Sequence, residues 1–240
     1  MHSPFVYGLF TKVIKTHNGT GSSTESIERE RNNLKQNKHL VESASFGAAS
    51  KVNSPEKTPI SKIARHGITD KRYANILLNM ANYLGAKKIF ELGTSLGITT
   101  AYLAKADNAQ ITTFEGNEEL ADLAQVFFDR QGLSNIDIVR GNINISLPRI
   151  LDNTDRIDMV YFDANHQYDP TLNYFNQCLR KAHKDSIFVF DDIYWSKEMK
   201  KAWQDIKEHY EVTVSIDLYK LGIVFLNPEF SKQNYILEYW

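Results

Sequence analysis

Three carboxylates and an imidazole follow two short apolar runs, Met159-Val160-Tyr161-Phe162-Asp163-Ala164-Asn165-His166 and Phe188-Val189-Phe190-Asp191-Asp192. If the runs are neighbouring parallel strands, Asp163, Asp191 and Asp192 open onto one crevice. Carboxylates so placed repel one another unless protons or a hard cation neutralise them, which makes them candidate oxygen ligands for a divalent metal such as Mg2+. His166 titrates near neutrality and is a candidate general base. Plainer roles fit the same residues. Asp163 could touch a cofactor only, Asp191 and Asp192 could cap the loop that follows, and His166 could be a solvated loop histidine. Tyr194 and Trp195 either line a pocket or simply pack.

A second constellation is Glu91-Leu92-Gly93-Thr94-Ser95-Leu96-Gly97-Ile98-Thr99, which leaves a strand and enters a helix. Glycine here lets backbone approach a ligand, and the helix start offers unpaired N–H groups. A phosphate loop would end in Gly-Lys-Ser/Thr, but Gly97 is followed by Ile98. The dinucleotide fingerprint needs three glycines where only Gly93 and Gly97 stand. Glu-x-Gly-x-x-x-Gly remains, as a ligand loop or as a structural turn. About twenty residues further on, the next strand ends at Glu115-Gly116, where an acid would grip a ribose diol. Equally, Glu115 could serve as a favourable charge at the start of the next helix.

Such residues need a scaffold, and the chain spells one out. From residue 60 apolar runs alternate with amphipathic segments. Strands are predicted at 88–92, 111–115, 136–140, 157–163 and 186–191, with helices at 97–105, 117–131, 146–151, 170–182 and 196–209. A preceding helix shows its apolar face in Tyr73, Ile76, Leu77, Met80 and Leu84, and Gly85 stops it. This rhythm predicts a doubly wound α/β domain, a parallel sheet with helices on both faces. Segments 211–218 and 221–226 are separated only by Tyr219-Lys220, too short for a crossover, so they must pair antiparallel.

The loop at Glu91–Gly97 resembles the S-adenosylmethionine-binding loop of class I methyltransferases. The closing hairpin matches their Rossmann-like seven-stranded sheet, order 3-2-1-4-5-7-6 with strand 7 antiparallel. The resemblance covers residues 60–226. It implies S-adenosylmethionine as cofactor, held by Glu91, Gly93, Thr94, Ser95, Gly97, Thr99, Glu115, Gly116, Gly141, Asn142 and Asp163. In that family the acid before the glycine lies near the methionine ammonium, and a carboxylate suits a ligand that carries a sulfonium and an ammonium but no phosphate. The strand ends are similar to those of the metal-dependent catechol and caffeoyl-coenzyme A O-methyltransferases, which implies Mg2+ on Asp163, Asp191 and Asp192. Asp192 stands where asparagine is usual, and His166 where a lysine often serves as base. The segment also resembles a broader bacterial group in which metal use varies. The implied activity is O-methylation of a small-molecule acceptor. Rivals are an N-methyltransferase, a catalytically inactive interaction module and an aminopropyl transferase on the same fold. Asp163-Ala164-Asn165-His166, lacking the Pro-Pro-Tyr turn of base-methylating enzymes, speaks against the first.

Composition bounds the rest. A net charge of −1 does not invite nucleic acid. No apolar run approaches the ~20 residues of a membrane span, no secretory signal opens the chain, and the lone Cys178 suits a reducing compartment, so the expectation is cytoplasmic. Cys178 itself reads as a core thiol. Residues 1–59 read as an extension to a domain of residues 60–240. Within it Phe5, Val6, Leu9, Phe10, Val13 and Ile14 recur at helical spacing, which suits residues 3–15 to docking on the main domain; a mobile arm, a lid or the contact of a homodimer are the roles left open. Ile27 to Val41 reads as a short exposed helix, and Phe46-Gly47-Ala48-Ala49-Ser50 as a turn or a strap over the cofactor.

Overall fold

The computed structural model describes residues 3–16, 21–42 and 57–238; the Phe46–Ser50 segment lies outside them. Helix α1 (Pro4–Leu9) runs on into a π-helical turn (Phe10–Ile14) and is followed by α2 (Gly21–Leu34). Strands β1 (Leu40–Glu42) and β2 (Lys57–Pro59) form a small antiparallel ribbon that leads into α3 (Ile60–His66) and α4 (Lys71–Leu84). The alternating region comprises β3 (Lys88–Leu92), α5 (Ile98–Leu103), β4 (Gln110–Glu115), α6 (Glu118–Gln131), β5 (Ile136–Arg140) and α7 (Ile143–Asp152). It continues with β6 (Met159–Phe162), α8 (Tyr168–Leu179), β7 (Ile187–Phe190), α9 (Lys197–Glu208), β8 (Val214–Asp217) and β9 (Gly222–Phe225), then β10 (Gln233–Ile236).

The large sheet runs β10-β8-β9-β7-β6-β3-β4-β5. Counted from β3, its first seven strands take the expected order, and β9 is antiparallel to both neighbours. The eighth strand, β10, parallel to β8, is an addition to the expected seven. Its Gln-Asn-Tyr-Ile carries no apolar alternation, so only its pairing marks it as a strand.

Strand periodicity splits the core between two faces. Ile89, Ile111, Met159, Tyr161, Ile187 and Val189 face α4, α5, α6 and the N-terminal helices. Phe90, Leu92, Phe114, Val160, Phe162, Phe188 and Phe190 face α7, α8 and α9. Local chemistry sets the helix ends. Asn117 accepts from the N–H groups of Glu119 and Leu120 to start α6, and left-handed Gly85 and Gly132 close α4 and α6.

Helix α2 differs from its reading in two ways. The helix expected over Ile27–Val41 spans Gly21–Leu34 and is docked, with Ile27 fully buried and Arg31 4% exposed. The apolar spacing of residues 5–14 is that of a docked helix: Val6, Leu9, Val13 and Ile14 are inaccessible, and Phe5 packs edge-on against Phe225 at 4.9 Å. The short helix expected at 146–151 begins at Ile143, because Asn142 caps it by accepting from the N–H of Asn144.

Candidate active site

Parallel register places the chemistry. Asp163 continues β6 by donating its N–H to Leu92, and Asp191 continues β7 by donating to Phe162, so three strand ends lie abreast. Gly93 follows β3 at φ +110, and a Cβ there would stand 2.3 Å from the Asp163 carbonyl oxygen. The two loops touch backbone to backbone, which only glycine permits. Gly97 answers a different demand, since its Cβ would strike the Phe128 ring at 2.7 Å; it brings α5 against α6.

Above these ends lies a cleft of about 330 Å³ whose lining includes Gly93, Ser95, Glu115, Gly116 and Asp163. Sequence reasoning missed the part of the wall formed by Val41, Glu42, Thr58 and Ile63. The ribbon that carries the first three is tied down where Asn117 Nδ2 donates to the Glu42 carbonyl at 2.6 Å. Glu115 accepts from the backbone N–H of Ser95 at 2.7 Å and of Asn117 at 2.8 Å. Burial raises its pKa above the ordinary value against the pull of those N–H groups.

The remaining expected cofactor residues stand around this cleft rather than on its wall. Thr94 is buried, its hydroxyl 2.7 Å from that of Thr113, and Thr99 is buried in α5. Gly141 turns at φ +98, with its N–H on the Glu115 carbonyl, and Asn142 caps α7. Glu91 is wholly buried beneath the loop. Its Oε2 accepts from the hydroxyls of Thr100 and Thr113, while Oε1 has no partner. Burial pushes its pKa up to about 8, against those two hydroxyls.

His166 sits beside the strand ends, with Nε2 3.4 Å from Asp163 Oδ1. Burial pulls its pKa down, but the hydrogen bond and charge of Asp163, with Asp192 and Asp191 behind it, win and raise it. The backbone is strained here. Ser95, Asn165, His166, Asp192 and Tyr219 all have positive φ, with Asn108 the one other non-glycine among the described residues. Such conformations cost of order 1–3 kcal/mol each and gather at functional sites.

The carboxylates have partners within the protein. Asp191 is 2% exposed; its Oδ2 accepts from Tyr161 at 2.7 Å and Thr69 at 3.4 Å, and its Oδ1 from the Asp192 N–H at 2.9 Å. Asp163 pairs with His166, and Asp192 Oδ1 lies 3.9 Å from Lys220 Nζ. Among the described residues no group of three or more His, Cys, Asp or Glu side chains is placed to hold a metal ion. Protein groups thus face both oxygens of Asp191, Asp163 Oδ1 and Asp192 Oδ1, and Mg2+ on these three carboxylates is not shown.

Two further features escaped the sequence. Lys220 lies in the β8–β9 turn, beside β7, because Phe190 pairs with Gly222. A buried chain also leads out from Asp191 through Tyr161 and Thr69 to α2. There Arg31 Nη1 donates to the Thr69 carbonyl at 2.8 Å and Nε to Glu28 at 2.9 Å.

Fold and strand ends together define a class I methyltransferase architecture. Residues 90–193 match the family model described as a methyltransferase domain. A catechol O-methyltransferase from Niastella koreensis is 32% identical over 118 residues, 48% of this chain and 52% of the relative. One from Mycobacterium tuberculosis is 26% identical over 117 residues, 48% and 51% of the two chains. This chain thus spans about half the length of these curated relatives. An O-methyltransferase structure from Bacillus cereus, in complex with SAH, superposes with a TM-score of 0.59 at 16% identity, covering 92% of this chain and 97% of that one; it shares the fold. No helix among the described residues is long and apolar enough to cross a membrane.

Proposed function

We propose that the chain transfers a methyl group from S-adenosylmethionine to a hydroxyl of a small-molecule acceptor. The observation that carries this reading is a cleft walled by Gly93, Ser95, Glu115, Gly116 and Asp163, with the His166 imidazole 3.4 Å from the carboxylate of Asp163. The donor set fits the cofactor. Glu91 Oε1 is a buried oxygen without a partner, and Glu115 lines the cleft. When bound, the cofactor supplies an electrophilic methyl carbon whose bond to sulfur breaks as the bond to the acceptor oxygen forms, sulfur keeping the electron pair.

The protein's own work is alignment and proton removal. With Nε2–H of His166 turned to Asp163, Nδ1 is left to take the hydroxyl proton. Asp163 holds the ring and stabilises the imidazolium that results. No step is assigned to a metal. The deciding experiment incubates the purified chain with S-adenosylmethionine and a panel of phenols, catechols and sugars, and follows S-adenosylhomocysteine (SAH). Calorimetry with SAH accompanies it. Binding together with acceptor-dependent SAH release supports the reading. Binding without turnover on any acceptor favours an interaction module, and no binding at millimolar concentration ends the cofactor assignment.

A further inference from the structure

We propose that Lys220 is the resident cation of the acidic crevice, occupying with its ammonium the place a divalent ion would otherwise be drawn to. The topology puts it there. Strand β8 runs parallel to β7, so the β8–β9 turn opens at the same end of the sheet as Asp191 and Asp192. The turn is two residues long, closed by the Leu218 N–H on the Leu221 carbonyl at 2.8 Å, with Tyr219 at φ +69. Its backbone is stitched to the acidic loop where Ile193 donates to the Lys220 carbonyl at 3.3 Å. The side chain reaches back to 3.9 Å from Asp192 Oδ1 and lies 5.9 Å from the centre of the Tyr73 ring, on the α4 side.

The charge balance agrees. Burial works against the ammonium, yet Asp191, Asp192, Asp70 and Asp163 outweigh it and hold the lysine more firmly protonated than usual. One lysine therefore answers the carboxylates that would repel one another in its absence. A fixed monovalent charge 3.9 Å from Asp192 Oδ1 also repels an incoming dication. The proposal rests on the methyl-transfer reading for what the charge does, namely favouring the deprotonated acceptor oxygen. Where the charge sits is independent of that reading.

The test is manganese(II) binding to the full chain, followed by loss of the free-ion electron paramagnetic resonance signal, for wild type, Lys220→Met and Lys220→Arg. Removing a unit charge about 4 Å from the ion should raise Mn2+ affinity about tenfold or more, even with solvent screening. Wild type and Lys220→Arg should bind weakly and alike, and adding Asp192→Ala to Lys220→Met should abolish the gain. Equal Mn2+ affinity in wild type and Lys220→Met would overturn the proposal, whether both bind tightly or both weakly. A gain in Lys220→Arg as large as in Lys220→Met would overturn it too, since the charge would then not be the cause. SAH calorimetry on the same samples separates the two ideas. Failure of SAH to bind ends the methyl-transfer reading and leaves the metal comparison standing.

Discussion

Glu91 is a carboxyl group that burial beneath the glycine loop keeps out of water, and its proton is a handle on the site. Its folded pKa, about 8, lies above the ordinary 4.5, so the protonated form is the one the fold favours. Stability from that preference is complete below the ordinary value and is lost as pH rises through the folded one. Glu91→Gln keeps an acceptor for Thr100 and Thr113 but cannot ionise. Urea unfolding should show wild type losing roughly 2–4 kcal/mol relative to this variant between pH 5 and pH 8. A constant difference would mean that the carboxyl does not change protonation on unfolding. His166 has the opposite chemistry. As base it must be neutral, and Asp163 holds its pKa above 6.5, so SAH release should rise with an inflection on the alkaline side of that value. Asp163→Asn should move the inflection to lower pH. His166→Ala should lose about 10²–10⁴ in rate, and an unchanged rate would leave the proton to solvent.

At the scale of elements, the strands and helices that carry Glu91, Glu115, Asp163 and Asp191 were legible because each is a short apolar run or a period-3.6 stripe bounded by a cap. The hairpin was legible too, since two residues cannot cross a sheet. Lys220 was not, although its signal was present: an antiparallel hairpin after five parallel strands must turn at the end where those strands present their acids. The partners of the three carboxylates were hidden for a related reason. Strand-end position says which carboxylates are neighbours but not which hydroxyls and ammonium groups already face them, and Tyr161, Thr69 and Lys220 come from separate elements. The docking of α1 was visible in its spacing, but its partner was not. Leu9, fully buried in the core, makes that contact testable. Leu9→Ala should cost about 2–5 kcal/mol in denaturant unfolding. A negligible loss would mean that the helix detaches in solution.

For the molecule as a whole, the N-terminal segment and the alternating region share one core. Val6, Leu9, Val13, Ile14 and Ile27 belong to the same buried cluster as Ile89 and Met159. Through Arg31, Thr69 and Tyr161 that segment also reaches the carboxyl of Asp191. Residues read as an extension thus hold part of the crevice in place and, through the β1–β2 ribbon, part of the cleft wall.

The added strand β10 bears on what happens to this protein at high concentration. Every residue of β8 is buried, and without a neighbour its outer row of N–H and C=O groups would be a flat, sticky edge open to another chain. Covering it with Gln233–Ile236, three of whose four residues are exposed, exchanges that edge for a short and mostly polar one. A chain ending at Asn227 should keep its central sheet yet self-associate, giving particles that grow with concentration in light scattering and bind thioflavin. A truncated chain that stays monodisperse would show that the flanking loops suffice to guard the edge.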